Sequence, residues 1–486
     1  MLYDVFSRFH NKINLSKIVG SYRPIVPVVE KRDMKRIRSH KRMRRLEAIN
    51  LITDRREVWE RPLPEFKTIL ELSTRAPLCP VPFTLDTNTG VCPFSCIYCF
   101  TSLTVSSLMT AFYDAPNVLA PRFASVEHVR DYLDEVLSAR GVQPYEREGG
   151  KHREACCGSI SEDKYLKKAA SQRVPLRFGT RSEPFIPAER GRGVALEALK
   201  VIKEHKYPLV INTKSDLLLE PPYFNILGEM ADHLVVQVTL IHYDDRWAKA
   251  FEPGAPPFSR RFEVLRLLNS SGIRAYPRME PTMAFFNDGC TFLDEYFDRV
   301  VEAGAKSFMG DLYHHTVRAE EIVAMFYSRG FDFDRMWEVT SEYQTLGSYV
   351  MEHVMYHAKR HGLKATTFNF HSIPYNDEDV CCQTSEISEN FNRYSMVNAL
   401  RLLVKRRRLS FKEFDEEFYG HELHPGFRER FKRAWNMVEV SWDNPDFMEG
   451  AYIIHRDPED TVWGFDPSLI GERYERVMKA FEGVER

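Results

Sequence analysis

Between residues 76 and 311, short apolar runs alternate with amphipathic stretches of helical period, the pattern of an α/β domain built on a parallel sheet. The runs at 81–86, 176–180, 209–213, 234–240, 273–279 and 307–309 are short, apolar and bounded by turn residues, so they predict strands. The stretches at 194–204, 261–270 and 293–303 return their apolar positions once per helical turn and predict helices. Six such units predict a partial (β/α)6 barrel, whose reactive groups would sit at the carboxyl ends of the strands. Residues 1–75 lack strand signals and predict a mostly helical extension; Pro62, Pro64, Pro77, Pro80 and Pro82 punctuate the junction as a linker. A polar insertion at 141–175 separates the first helical region from the second strand. From 312 to 486 the pattern is mainly helical, with one long periodic segment at 336–361 and a short apparent strand at 365–368.

Composition narrows the class. The chain has 486 residues, 43% hydrophobic and 28% charged, which suits a globular protein of two or three domains. With 67 basic against 69 acidic residues there is no global field toward nucleic acid or membrane, and any polyanion site must be local. One local patch stands out at 31–45, with nine basic residues and one acid. It reads either as a contact for a nucleic-acid backbone or acidic partner, or simply as a solvated helix face. A second basic run, Lys405-Arg406-Arg407-Arg408, precedes an acidic helix at 412–418. Asp4, Arg8, Lys12 and Lys17 break up any leader-like apolar run, and no stretch of eighteen apolar residues occurs, so a cytoplasmic location is expected and no membrane contact. Cysteines there stay reduced and serve as ligands, core residues or reactive groups.

The chemistry concentrates in Cys92-Pro93-Phe94-Ser95-Cys96-Ile97-Tyr98-Cys99. Nine cysteines in 486 residues would produce a fixed three-cysteine spacing by chance roughly 0.003 times, so the spacing is a feature. Three thiolates at this spacing hold three irons of a four-iron cluster and leave the fourth open for a ligand, here expected to be S-adenosylmethionine. The alternative is a structural zinc or closed cluster with Cys79 or His152 as fourth ligand, although zinc knuckles favour C-x2-C pairs on each arm.

Three strand ends suit a zwitterionic, nucleoside-bearing ligand. Glu183, in the turn Thr180-Arg181-Ser182-Glu183-Pro184, would accept a bond from an ammonium group. Lys214, directly after an apolar strand, would meet a carboxylate. Gln237 and Thr239 are polar positions inside an apolar strand and are candidates for the ribose or methionine moiety. Each is weak alone, since turn carboxylates and surface lysines are common.

Taken in order, Cys92-x3-Cys96-x-Tyr98-Cys99, Ser182-Glu183-Pro184-Phe185, Thr213-Lys214-Ser215, Val238-Thr239, Phe251-Glu252-Pro253 and Arg260-Arg261-Phe262 resemble the motif succession of the radical S-adenosylmethionine superfamily, in its spore photoproduct lyase-like branch. The resemblance covers about residues 78–310 and implies a TIM-like partial barrel. It implies a [4Fe-4S] cluster on Cys92, Cys96 and Cys99, with Tyr98, Ser182, Glu183, Lys214 and Thr239 lining the S-adenosylmethionine pocket. It also implies reductive cleavage to a 5′-deoxyadenosyl radical, oxygen sensitivity and a reducing partner such as a flavodoxin or ferredoxin. Arg181 stands where the lyases proper carry a hydrogen-donor cysteine, which argues against thymine-dimer repair by that route. Gly90 and Phe100 depart from the branch as well.

Further candidates are His314 and His315, after Asp311 and Tyr313, for proton transfer, against the plainer reading of hydrogen-bonded structural histidines. The pairs Cys156-Cys157 and Cys381-Cys382 read as a second metal site, a hydrogen-donor thiol or buried cysteine, and Cys79 and Cys290 as core. The function expected is that of a radical enzyme whose substrate class leans to nucleic acid, with a peptide or small metabolite as the alternative. The rival from another class is a non-catalytic iron–sulfur or zinc protein.

Overall fold

A computed structural model of the chain describes residues 66–73, 79–89, 92–99, 121–141, 160–284, 286–313, 344–378, 380–437 and 448–470. The basic segment at 31–45, His314, His315, Cys156 and Cys157 lie outside these residues.

Eight strands form the central sheet, in the order β1-β2-β5-β6-β7-β8-β9-β10. The first, β1 (Leu70–Leu72), runs antiparallel to β2 (Phe83–Leu85). A small antiparallel ribbon of β3 (Asn88–Thr89) and β4 (Arg122–Phe123) follows. From β2 the sheet continues in parallel through β5 (Leu176–Phe178), β6 (Leu209–Thr213), β7 (Leu234–Thr239), β8 (Ala275–Thr282), β9 (Ser307–Leu312) and β10 (Lys364–Thr367). Every residue of β6 and β7 is buried, as expected of parallel strands covered on both faces.

Helices return the chain between the parallel strands: Val194–Glu204 links β5 to β6, Pro221–Glu229 links β6 to β7, Phe258–Ser270 leads to β8, and Cys290–Glu302 leads to β9. Their apolar faces join the sheet in one continuous core. All six strands expected from the sequence belong to this sheet, so the α/β partial-barrel architecture holds.

Three features differ from the sequence expectation. The region read as lacking strands contains β1, and the sheet runs past residue 311 to include β10. β1 has three residues, too few for a period to declare itself, and its pairing with β2 fixes it, whereas the short strand expected at 365–368 is β10 and only its place in this sheet was not read. The region expected to be mainly helical also contains an antiparallel sheet in the order β11-β13-β12, from Arg408–Ser410, Val462–Phe465 and Ala451–His455. Its buried Trp463 donates Nε1–H to Trp435 O at 3.2 Å, on the helix Pro425–Met437.

Candidate functional site

The loop after β3 carries the three cysteines, and it is fastened to the segment after β7. Ile97 N donates to Phe251 O at 2.9 Å and Gly254 N to Phe94 O at 3.1 Å. The Tyr98 hydroxyl donates to Glu252 Oε1, and Glu252 Oε2 pairs with Arg261, both charged side chains being fully buried. Arg261 then donates to Thr239 O at 2.9 Å and Pro256 O at 2.8 Å. Burial and the neighbouring Glu252 push the Tyr98 phenol well up, so it stays a donor. This relay explains the Glu-Pro and Arg-Arg motifs: they lock the cysteine loop to the end of β7.

The ends of β2, β5 and β6 are tied together in the same way. Gly179 sits at φ 89°, where a Cβ would fall 2.3 Å from Asn212 O, so the turn after β5 requires glycine. Asp86, after β2, accepts from the Arg181 and Ser182 backbone N–H groups at 3.3 Å each and from the Ser182 hydroxyl at 3.2 Å. Burial pushes its carboxyl up to about 7, against the pull of those bonds. The Glu183 carboxylate accepts from Thr213 Oγ1 at 2.6 Å, Lys214 N at 2.9 Å and Phe185 N at 3.2 Å. Glu183 therefore shapes the turn that presents Lys214, beyond any ligand contact its oxygens make. Burial raises its carboxyl and those bonds offset only part of the rise.

These strand ends and the loop enclose one cleft of about 180 Å³. Cys92, Cys96, Cys99, Tyr98, Ser182, Glu183, Lys214 and Thr239 all line it, so of the residues named for the ligand and the cluster all but Gln237 meet in one place. Burial drives the Cys92 thiol up to about 12 and Cys96 well up, which disfavours bare thiolates unless a cation binds among them. For Lys214 burial works against the charge, and Cys96 and Glu252 outweigh it, leaving the ammonium above its ordinary value. Its Nζ lies 5.6 Å from the Tyr98 ring centre. Three sulfurs and a held ammonium in one cleft fit a thiolate-ligated cluster with an anionic ligand beside it.

No protein-family model matches the chain, and no curated protein matches it in sequence. Among solved structures it is similar to Streptococcus suis SuiB bound to precursor peptide SuiA, at 14% identity and a TM-score of 0.35. That likeness covers 60% of this chain, which spans half of the SuiB chain. It is similar also to a spore photoproduct lyase mutant with bound AdoMet and dinucleoside spore photoproduct, at 13% identity and a TM-score of 0.40, over 59% of this chain and 76% of that one. A third is the cobalamin-dependent S-adenosylmethionine radical enzyme OxsB, at 16% identity and a TM-score of 0.29, over 52% and 32% of the two chains.

Other expectations separate. Gln237 does not line the cleft; its amide donates to Tyr276 Oη at 2.9 Å and Cys382 O at 3.3 Å, inside the barrel. Cys381 and Cys382 are buried beneath it, in a cluster with Val81 and Val380. Arg177 Nη2 lies 2.5 Å from Cys382 Sγ. A bond from the Cys381 thiol, then the Arg177 and Arg278 guanidinium groups, pull the Cys382 thiol down against burial while Cys381 is pushed up, so Cys382 faces Arg177 inside the barrel, away from the cleft. Arg181, in the donor-cysteine position, pairs with Glu71 of β1. Lys405–Arg408 is no free patch, since Arg406 pairs with Glu417 at 2.8 Å and Arg408 with Glu413 at 2.6 Å. Cys290, expected in the core, is half-buried beside His353.

Sequence reasoning missed Asp86, Arg278 and Glu280. Arg278 and Glu280 pair with each other and line the cleft, and Arg278 also donates to Gln237 Oε1 at 2.8 Å. The signal was present, because Tyr276, Arg278 and Glu280 fall on one face of β8 by period-two alternation and are polar within a predominantly buried strand.

Proposed function

We propose that the chain is a radical S-adenosylmethionine enzyme. The observation that carries this reading is the convergence of Cys92, Cys96 and Cys99 with Lys214 and Thr239 on one cleft at the carboxyl ends of the strands. Cys92, Cys96 and Cys99 would hold a four-iron cluster, and the chemistry such a group supplies when bound is one-electron cleavage of the sulfonium of S-adenosylmethionine to a hydrogen-abstracting 5′-deoxyadenosyl radical. Lys214 meets the carboxylate of the methionine half, with its charge held by Glu252 and the loop sulfurs. Glu183 and Asp86 keep the turns after β5 and β6 rigid, so Ser182 and Lys214 stay aimed at the ligand, and Arg261 holds the end of β7 at Thr239. Tyr98 and Tyr313 wall the cleft and limit the entry of water.

The substrate class this reading favours is nucleic acid, from the basic segment at 31–45. Binding of single- and double-stranded oligonucleotides should weaken steeply with salt, and a flat response removes the polyanion reading in favour of a peptide or small metabolite.

The class is tested on protein reconstituted with iron and sulfide without oxygen. Electron paramagnetic resonance of the reduced state should change on adding S-adenosylmethionine, 5′-deoxyadenosine should form, and Cys96→Ala should lose both. Zinc in place of iron, or a signal blind to the ligand, would return the loop to the role of a structural staple. Among the described residues no helix is long and apolar enough to cross a membrane.

A further inference from the structure

A second set of metal-ligating side chains lies outside the cleft, where the helix Cys290–Glu302 packs against the helix Gln344–Arg360. Cys290 opens the first helix. His353 and His357 are four residues apart on the second, so they share one face. Cys290 Sγ lies 3.7 Å from His353 Nε2, and one ligand atom from each of the three residues lies within 4.8 Å of the other two. A tetrahedral zinc ion with a sulfur at about 2.3 Å and a nitrogen at about 2.0–2.1 Å sets those two ligand atoms about 3.6 Å apart. The Cys290–His353 separation is close to that spacing, and the remaining ligand atoms lie near enough to close on one ion.

The surroundings supply the second ingredient. His357 Nδ1 is 2.7 Å from Asp294 Oδ1, one turn along from Cys290 on the same helix. A proton donated from Nδ1 to this carboxylate puts the lone pair on Nε2 and fixes the ring, the arrangement carboxylates impose on zinc-bound histidine. His353 and His357 are buried, with ring centres 4.7 Å apart and planes at 74°, so the rings meet edge to face and are not stacked. Cys290 is half-buried and leaves a path for the ion. One thiolate and two imidazoles select a borderline-soft ion, which excludes magnesium and calcium.

We infer that Cys290, His353 and His357 form a zinc site, with water as the fourth ligand and Asp294 positioning His357. The ion joins the helix that follows β8 to the helix that delivers β10, and so pins the edge strand of the sheet to the barrel.

The test uses the full chain with Cys92, Cys96 and Cys99 all replaced by serine, so that loop iron or zinc cannot contribute. Loaded with zinc and desalted, it should retain one zinc per chain by elemental analysis. Loaded with cobalt(II), it should show a sulfur-to-cobalt charge-transfer band and the intense visible bands of a four-coordinate ion. Adding Cys290→Ser should abolish the charge-transfer band. Asp294→Asn, at a half-exposed position, should weaken zinc by roughly 10–100-fold in a chelator competition. With the circular dichroism of the triple-serine chain matching that of the unsubstituted chain, absence of retained zinc, or a cobalt spectrum without sulfur ligation while Cys290 is present, overturns the assignment without relying on a variant of Cys290, His353 or His357 to fold.

Discussion

Gly254 is where the segment after β7 crosses the cysteine loop, and adding one methyl group there should damage the proposed cluster site while sparing the fold. An ideal Cβ would lie 1.9 Å from Pro93 O, 2.9 Å from Pro93 C and 3.0 Å from Phe94 Cα. All three atoms are backbone, so no rotamer relieves the contact. Restoring ordinary van der Waals distance requires the loop to retreat by more than about 1 Å. That retreat breaks the bonds Gly254 N to Phe94 O and Ile97 N to Phe251 O, which together contribute about 1–3 kcal/mol to holding the loop. Cys92 and Cys96 flank the displaced atoms, and a misplacement of about 1 Å at a reacting centre costs on the order of 100-fold in rate. Gly254→Ala should therefore fold with an unchanged circular dichroism spectrum, incorporate less iron and form 5′-deoxyadenosine about 100-fold more slowly. Gly228→Ala, on a helix with nothing within 4 Å of the new Cβ, is the control and should leave both readouts unchanged. Full iron loading with an undiminished 5′-deoxyadenosine rate in Gly254→Ala would refute this account of the crossing.

The same relay makes Glu252→Gln costly, because it leaves the fully buried Arg261 facing carbonyls alone; urea unfolding should show a loss of about 3–5 kcal/mol, and a loss under about 1 kcal/mol would mean the pair is not closed as described. Lys214→Met should weaken S-adenosylmethionine by roughly 10–100-fold in equilibrium dialysis while iron content stays constant; equal affinity would remove Lys214 from the ligand site. Asp86 releases its proton near 3.8 when unfolded and at about 7 in the native protein, so between these values the native state holds more protons and this group's contribution to stability falls as pH rises. Asp86→Asn removes that penalty: its stability relative to wild type should climb from about pH 4 to about pH 7 by at most about 4 kcal/mol and then level off, and a difference flat across that range would count against a buried, protonated Asp86.

The cysteine loop, the six main strands and the place of Ser182, Glu183, Lys214 and Thr239 on one cleft were legible in the sequence because each signal is local. A cysteine spacing, an apolar run of five residues and a lysine directly after it are properties of neighbouring positions, and the parallel α/β pattern makes strand ends converge. The role of Glu252 was legible as a motif only; that it joins Tyr98 to Arg261 across 154 positions of chain on one side and nine on the other needed the fold. Gln237 shows the converse. As a polar residue in an apolar strand it resembled a ligand contact, yet the 380–383 segment folds beneath it and takes its amide, so the cleft never sees it.

What the chain determined by itself was the existence of an α/β core with a three-cysteine loop after its first parallel strand, since apolar periodicity and turn residues act over a few positions at a time. Only the tertiary structure decided which polar groups meet. Asp86 became a near-neutral acid because it is buried under the turn after β5, Cys382 came to face the Arg177 guanidinium, and Cys290 came within 3.7 Å of a histidine 63 residues away. Burial and long-range pairing set the charge and partner of a side chain, and neither quantity is written in its immediate neighbours.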